Sequence, residues 1–407
     1  MLNKNNEREL AYLVIIDNVY KNPNADRLDV CEVGGWRVIT GLNEFQKGDV
    51  AIYFEIDSKL PEVAPFTNME FLKSKHYKIK SQKIRGIVSQ GLLIHPKDMG
   101  WEIVYDIRDD FPGVKTSDGI YHFPNEESRF LTDLIGVTYY VLEDNKRKAP
   151  SVDKYKKMAQ RHPKVFSNPI IRKIYKTEIG KRILYLFFGW NTKQRNWPYW
   201  VTKTDEERVQ NMPWILTNKN PWVVTEKIDG TSTTFTLKKN KIPFKKNEFY
   251  VCSRNVVFNN PNKKCFYETN VYQEIALRYD IENVLTKILD ELDVEWVTIQ
   301  GETFGKKIQN RDYSLDGIDF KAFNLITPKG RWGSIIASEY LNNFGIPFVP
   351  ILDVNYILPD TVDELLKYAD GLSVIDNLER EGIVLRTVDG QLSFKAVSND
   401  FILKYHN

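Results

Sequence analysis

The residues Val223-Val224-Thr225-Glu226-Lys227-Ile228-Asp229-Gly230-Thr231-Ser232 combine a β-prone apolar run with a lysine, an aspartate two places on, a glycine and two hydroxyls. A lysine at the end of a buried strand can lose its water and act as a nucleophile near neutral pH. Taken alone the pattern is weak, because aspartate before glycine is ordinary turn chemistry. Further groups follow in order: Ser253-Arg254-Asn255, Gln300-Gly301-Glu302, Ala322-Phe323-Asn324, Glu381-Gly382-Ile383-Val384 and Phe394-Lys395-Ala396. Together they offer an amine nucleophile, three carboxylates able to hold a divalent metal, and cations for phosphates. An aromatic and a β-branched side chain could sandwich a base. These are the parts a lysine needs to attack a nucleoside triphosphate.

Strands must hold those groups. Apolar, β-branched runs predict strands over 222–226, 233–237, 250–253, 296–300, 318–325, 383–386 and 392–396. Helical patterns cover Tyr267 to about Leu292, in one or two pieces, Gly333–Phe344 with Gly345 as its stop, and Thr361–Tyr368. Helices do not follow strands regularly, so an antiparallel-rich α+β fold is expected. Ahead of it, Leu10–Ile16, Leu28–Val33, Trp36–Thr40 and Val50–Ile56 are short strands parted by turns, the spacing of a small closed barrel. A Pro-punctuated basic stretch from Lys146 to Arg182 reads as linker and short helices, either a solvated face or a phosphate-contacting bridge. The expected division is a barrel domain at 1–145, a basic segment at 146–198 and a second domain at 199–407.

Composition excludes several classes. The 407 residues carry a net charge of +3, so any nucleic-acid surface must come from segregated charge. Cys31, Cys252 and Cys265 lack CxxC spacing, which argues against a disulfide scaffold or structural zinc and for a reducing compartment. The five histidines show no metal-ligand spacing. There is no apolar run of about 18 residues and no signal-peptide core at the N-terminus. A monomeric intracellular protein, cytoplasmic or nuclear, is expected.

The motifs around Lys227, Glu302, Phe323, Glu381, Val384 and Lys395, in that order, resemble the covalent nucleotidyltransferases: ATP-dependent DNA and RNA ligases and mRNA capping enzymes. In front, Asn22-Pro23-Asn24-Ala25-Asp26-Arg27-Leu28 and Lys83-Ile84-Arg85-Gly86-Ile87-Val88-Ser89-Gln90-Gly91 resemble OB-folds of the tRNA-binding type, over roughly residues 9–95. More narrowly the chain resembles the RNA ligases of the Naegleria and Deinococcus type, an N-terminal OB-fold β-barrel before an antiparallel-sheet nucleotidyltransferase domain. Ser232 stands where DNA ligases usually carry arginine. Only twelve residues follow Lys395, too few for the OB domain that DNA ligases and capping enzymes place there.

The resemblance implies three steps: Lys227 attacks the α-phosphate of ATP, AMP passes to an RNA 5′-phosphate, and an RNA 3′-OH displaces AMP. It implies ATP as substrate and two Mg²⁺ or Mn²⁺ ions, one held by Asp229, Glu302 and Glu381 largely through water, the other on the β- and γ-phosphates. Lys395 is expected on the α-phosphate and Arg254 on ribose or phosphate. Phe323 and Val384 are expected about adenine, with Glu226 or the Thr225 backbone at its edge and Ser232 nearby. Glu302 could also bond a ribose hydroxyl, and Lys203 and Arg208 the triphosphate. The RNA partner would bring 3′-OH and 5′-phosphate ends, in a nicked duplex. Each residue has a plainer reading. Phe323 and Val384 fit a core, and the charged residues fit ordinary ion pairs. Two departures stand out: Asn324 replaces a frequent aspartate, and Val397 the second lysine of the last motif, leaving Lys404 as a substitute. A non-catalytic OB-domain RNA-binding protein with a decayed transferase fold is the alternative, and a DNA ligase or guanylyltransferase a further one.

Overall fold

A computed structural model describes residues 1–3, 5, 7–105, 112–116, 119–122, 129–140, 163–166, 168–188, 197–240, 242, 245–258, 265 and 267–405. Much of the basic stretch, Lys146 to Arg161, lies outside the described residues, as do His162 and His406. Three short helices, Pro163–Phe166, Pro169–Tyr175 and Glu178–Phe188, occupy its second half.

The front of the chain is built on β1 (Ala11–Ile15), β2 (Asn18–Lys21), β3 (Leu28–Val33), β4 (Trp36–Gly41), β5 (Val50–Phe54), β6 (Ser58–Lys59), β7 (Gln82–Ile84), β8 (Ile87–Ser89) and β9 (Leu92–Ile94). Strands β1, β5 and β9 form one antiparallel sheet and β2, β3 and β4 another. Tyr12, Val14, Ala51, Tyr53 and Leu93 point from the first sheet toward Trp36, Val38 and Phe45. The alternate residues Ala11, Leu13, Val50, Ile52 and Phe54 pack outward under Leu60, Phe66, Leu72 and Leu131. Both faces are covered, which is why β5 is an unbroken apolar run rather than an alternating one. Beyond it, β10 (Glu102–Tyr105), β11 (Pro112–Lys115) and β12 (Ile120–His122) form a separate meander, and β13 (Thr138–Tyr139) returns to pair with β6.

The second half has two antiparallel sheets. One has six strands in the order β17 (Val257–Phe258), β16 (Glu248–Ser253), β15 (Thr231–Lys238), β18 (Trp296–Gly305), β19 (Ile318–Thr327), β20 (Gly330–Arg331). On one face Phe235, Leu237, Val297, Ile299, Phe320 and Ala322 meet the helices Val271–Arg278, Ile281–Glu291 and Ser334–Asn343. Its other face carries Ser232, Thr234, Thr236, Thr298, Gln300 and Glu302. Alternation along β15 and β18 thus separates a dry core from a polar wall.

The second sheet has four strands in the order β21 (Ile351–Tyr356), β14 (Trp222–Lys227), β22 (Gly382–Thr387), β23 (Ser393–Val397). Trp222, Val224, Ile383, Leu385, Phe394 and Ala396 pack onto Val209, Ile215 and the helix Val362–Ala369. Thr361 and Glu364 close that helix's N-terminus with a capping box. Gly345, at φ +73°, follows the helix Ser334–Asn343 as its stop. The sequence patterns did not reveal β21 or the terminal helix Asn399–Tyr405. Among the described residues no helix is long and apolar enough to cross a membrane.

Candidate active site

The two sheets face one another across a cavity. Register sets its walls. On the four-stranded sheet Thr225 pairs with Val384, and Val384 with Lys395, so the three lie in one row across β14, β22 and β23. Lys227 ends β14 opposite Gly382, one residue past Glu381. On the facing sheet Ser232 pairs with Glu302. All of these except Gly382 line the cavity, together with Glu226, Asp229, Arg254, Phe323 and Arg386.

Phe323 reaches it through an irregularity. Gln300 pairs with Asn324 and Gly301 with Ala322, leaving Phe323 as the extra residue of a bulge. A bulge re-aims a side chain that regular pleating would place elsewhere. Gly301 permits it, for a Cβ there would lie 2.3 Å from the Phe320 ring and 2.4 Å from the Lys321 carbonyl. Gly230 is needed for a similar reason: a Cβ would come within 2.4 Å of the Thr303 carbonyl. The turn after Lys227 therefore lies flat against β18. Tyr313 fixes it from below, its hydroxyl accepting the Asp229 N–H at 2.6 Å.

Lys227 Nζ is 2.6 Å from Glu381 Oε2. Burial works to lower the lysine's pKa, but Glu381, Glu302 and Asp229 outweigh it and hold it above the ordinary value. The amine is thus held as an ammonium, where burial alone would have favoured the free amine. Burial, with Glu381 and Asp229 close by, pushes the Glu302 carboxyl up to about 8 against the pull of Lys227. Crowded carboxylates of this kind are hard oxygen donors with an electrostatic deficit that a divalent cation would satisfy. Among the described residues no three acidic, His or Cys side chains converge tightly enough to hold a bare ion.

At the other end, burial together with Arg208 brings the Lys395 ammonium down to about 8. Its Nζ is 3.5 Å from Asp205 Oδ1, and Asp205 Oδ2 also pairs with Arg254. Asp205 thus places a negative charge between two cations on the cavity wall. Behind it Glu206 accepts from Arg386 at 3.1 Å and Arg331 at 3.4 Å, and from Ser393. Burial opposes its ionisation, but Arg386, Ser393 and Arg331 hold its pKa below the usual value. Asp205, Glu206 and Arg386 carried no spacing signal. The first two sit in an irregular stretch, and Arg386 ends a strand noted only for its apolar residues.

Other predicted residues stand differently. Glu226 reaches the cavity, yet its carboxylate accepts hydrogen bonds from Ser373 Oγ at 2.5 Å and Val374 N at 2.9 Å. Ser232 shares a hydrogen bond with Thr204, the hydroxyls 2.7 Å apart. Arg208 is not on the cavity wall: its backbone bridges to Lys395, and its guanidinium stands 5.8 Å from the Trp36 ring of the barrel. Lys203 is also off the wall, its Nζ 3.0 Å from Asn255 Oδ1. Asn324 donates to Gln300 at 2.9 Å, Val397 is buried, and Lys404 pairs with Glu379 at 2.6 Å.

Comparison with known proteins agrees with this architecture. Residues 220–406 match the RNA ligase family, and residues 10–96 match an OB-fold domain. The whole chain is similar to solved structures of Naegleria gruberi RNA ligase. The form with PPi is 25% identical, with a TM-score of 0.62 over 98% of this chain and 99% of that one. A point mutant of it with AMP and Mn gives the same identity, coverage and TM-score. Another, with ATP and Mn, is 25% identical with a TM-score of 0.60 over 98% of both chains. Comparison with curated proteins gives no match.

Proposed function

We propose that the chain is an ATP-dependent ligase joining RNA 3′-OH and 5′-phosphate ends, with nicked duplexes as its substrates; residues 220–406 match the RNA ligase family and residues 10–96 an OB-fold domain. The observation that carries the reading is Lys227, held 2.6 Å from Glu381 at the strand end of a cavity that Phe323, Val384 and Lys395 also line. In the first step Lys227 Nζ, once deprotonated, bonds to the α-phosphorus of ATP and pyrophosphate leaves. The resulting lysyl-AMP gives AMP to an RNA 5′-phosphate, freeing the lysine. An RNA 3′-OH then attacks the 5′-phosphorus, and AMP departs.

The chain's residues divide the work. Phe323 and Val384, from opposite sheets, hold adenine between a ring and a branched side chain. Glu302, across from Ser232, takes a ribose hydroxyl or a metal-bound water. Lys395 neutralises charge on the α-phosphate, and Arg254 offers its guanidinium to phosphate, each exchanging Asp205 for substrate. Asp229, Glu302 and Glu381 are the groups that would hold Mg²⁺ or Mn²⁺. The cation, when bound, would supply charge neutralisation on the phosphates and help the Lys227 ammonium give up its proton.

Nicked duplexes differing only in the sugar beside the 3′-OH test the substrate class. A ribonucleotide there should be sealed with ATP, and a deoxyribonucleotide sealed poorly. Equal sealing of both would make the protein a general polynucleotide ligase. Sealing of neither, despite AMP on the protein, would point to another acceptor.

A further inference from the structure

The segment that reaches the cavity wall at Thr204 carries aromatic rings and lysines on its approach. Tyr199 is 86% exposed, the ring edge-on to Trp200 with centroids 5.1 Å apart. Lys238 Nζ, from β15, lies 5.1 Å from the Tyr199 ring and 3.2 Å from its hydroxyl. Trp200 is anchored on the same strand by an indole N–H to Thr236 at 3.2 Å. So an exposed ring rests over β15, an inner strand of the six-stranded sheet, beside Lys238, which also pairs with Glu295 at 3.4 Å. Three residues after Trp200, the exposed Lys203 lies 5.8 Å from the Trp197 ring and donates to Asn255, the neighbour of Arg254 on the cavity wall. No carboxylate pairs with Lys203 among the described residues.

A second exposed aromatic belongs to the OB-fold domain. Tyr139, on β13 of the OB-fold domain, is 50% exposed, with Arg8 5.7 Å from the ring centroid. Arg8 is itself tied to Glu55 at 2.8 Å and Asp57 at 3.6 Å, so the ring is backed by a fixed cation. The phenol lies within the electrostatic reach of Asp205 and Arg254, both on the cavity wall.

Exposed rings stack on any base, and unpaired lysines take phosphates without reading sequence. We infer that the Tyr199–Lys203 segment, together with Tyr139 of the OB-fold domain, holds the RNA strand ending at the cavity. Bases stack on Tyr199 and Tyr139, and Lys203 meets the strand's phosphates. This moves Lys203 from the triphosphate to RNA. It rests on the ligase reading and extends it to the surface that presents the polynucleotide.

The test separates the nucleotide from the RNA. The full chain is given either labelled ATP alone or a nicked duplex already adenylated at its 5′-phosphate. Tyr199→Ala should form lysyl-AMP at the wild-type rate, which also reports an intact fold. With the adenylated duplex, KM should rise about tenfold or more for Tyr199→Ala, while Tyr199→Phe stays near wild type. Lys203→Ala should lower the salt dependence of RNA binding by about one ion. Wild-type KM in Tyr199→Ala, or slowed lysyl-AMP formation in Lys203→Ala with RNA binding intact, would overturn the inference alone. A wild-type protein that cannot seal the adenylated duplex would remove the ligase reading beneath it.

Discussion

At the residue scale the site is a negotiation among charges. In the proposed reaction Lys227 is the nucleophile, and the same carboxylates that suit a cation keep its proton on. Glu302 makes that testable. With its pKa raised to about 8, it carries a proton at neutral pH in the absence of a cation, and cation binding must displace that proton. The affinity for Mg²⁺ should therefore strengthen as pH rises from about 6.5 through 8 and level off above, with proton release largest on the acid side. Calorimetry in buffers of different ionisation enthalpy measures the release, and Glu302→Gln should abolish that part of it. A Mg²⁺ affinity flat across this range would contradict the assigned charge state. Most residues around the cavity were legible as types in order: a lysine before a turn, acids beside glycines, an aromatic on a strand. Asp205 was not, since an aspartate in an irregular segment announces nothing until Arg254 and Lys395 are seen on either side of it.

At the scale of elements, pairing register does the aiming. The row Thr225–Val384–Lys395 and the pair Ser232–Glu302 follow from antiparallel alignment. Phe323 follows from a bulge that no sequence periodicity displays, because its neighbours still read as one strand. Gly301→Ala should remove the room that bulge uses. The expected loss is about 1–3 kcal/mol of stability by urea unfolding, with weaker ATP binding from the displaced Phe323 ring. Wild-type stability and ATP affinity together would show that the glycine is not needed there. The strong apolar runs over β14, β15, β18, β19 and β22 were readable from composition alone. Strand β21 was not: Ile351–Tyr356 is an edge strand, half exposed, with Asp353 and Asn355 diluting its pattern.

At the scale of the molecule, the OB-fold domain is docked onto the element that backs Lys395. Leu2 donates to the Asn211 carbonyl at 2.8 Å, Arg208 stands over Trp36, and Lys83 reaches the Leu403 carbonyl at 3.1 Å. On the far side, Arg311 and Asp376 form an ion pair 2% and 1% exposed that joins the loop below Asp229 to the loop before Glu381. The terminal helix closes over that pair through Phe401 and Tyr405. These long-range contacts were invisible in the sequence, since their partners are far apart along the chain and alike in type to ordinary surface residues. The order of the two domains was visible, because each carries its own motif.

The proposed function rests on one bond, between Lys227 Nζ and the α-phosphorus of ATP. Incubation with α-labelled ATP and Mg²⁺, followed by denaturation, tests it most directly. Label should remain on the wild-type protein, be released by pyrophosphate, and be absent from Lys227→Ala; α-labelled GTP should leave none. No label from ATP, or equal label on Lys227→Ala, would contradict the account.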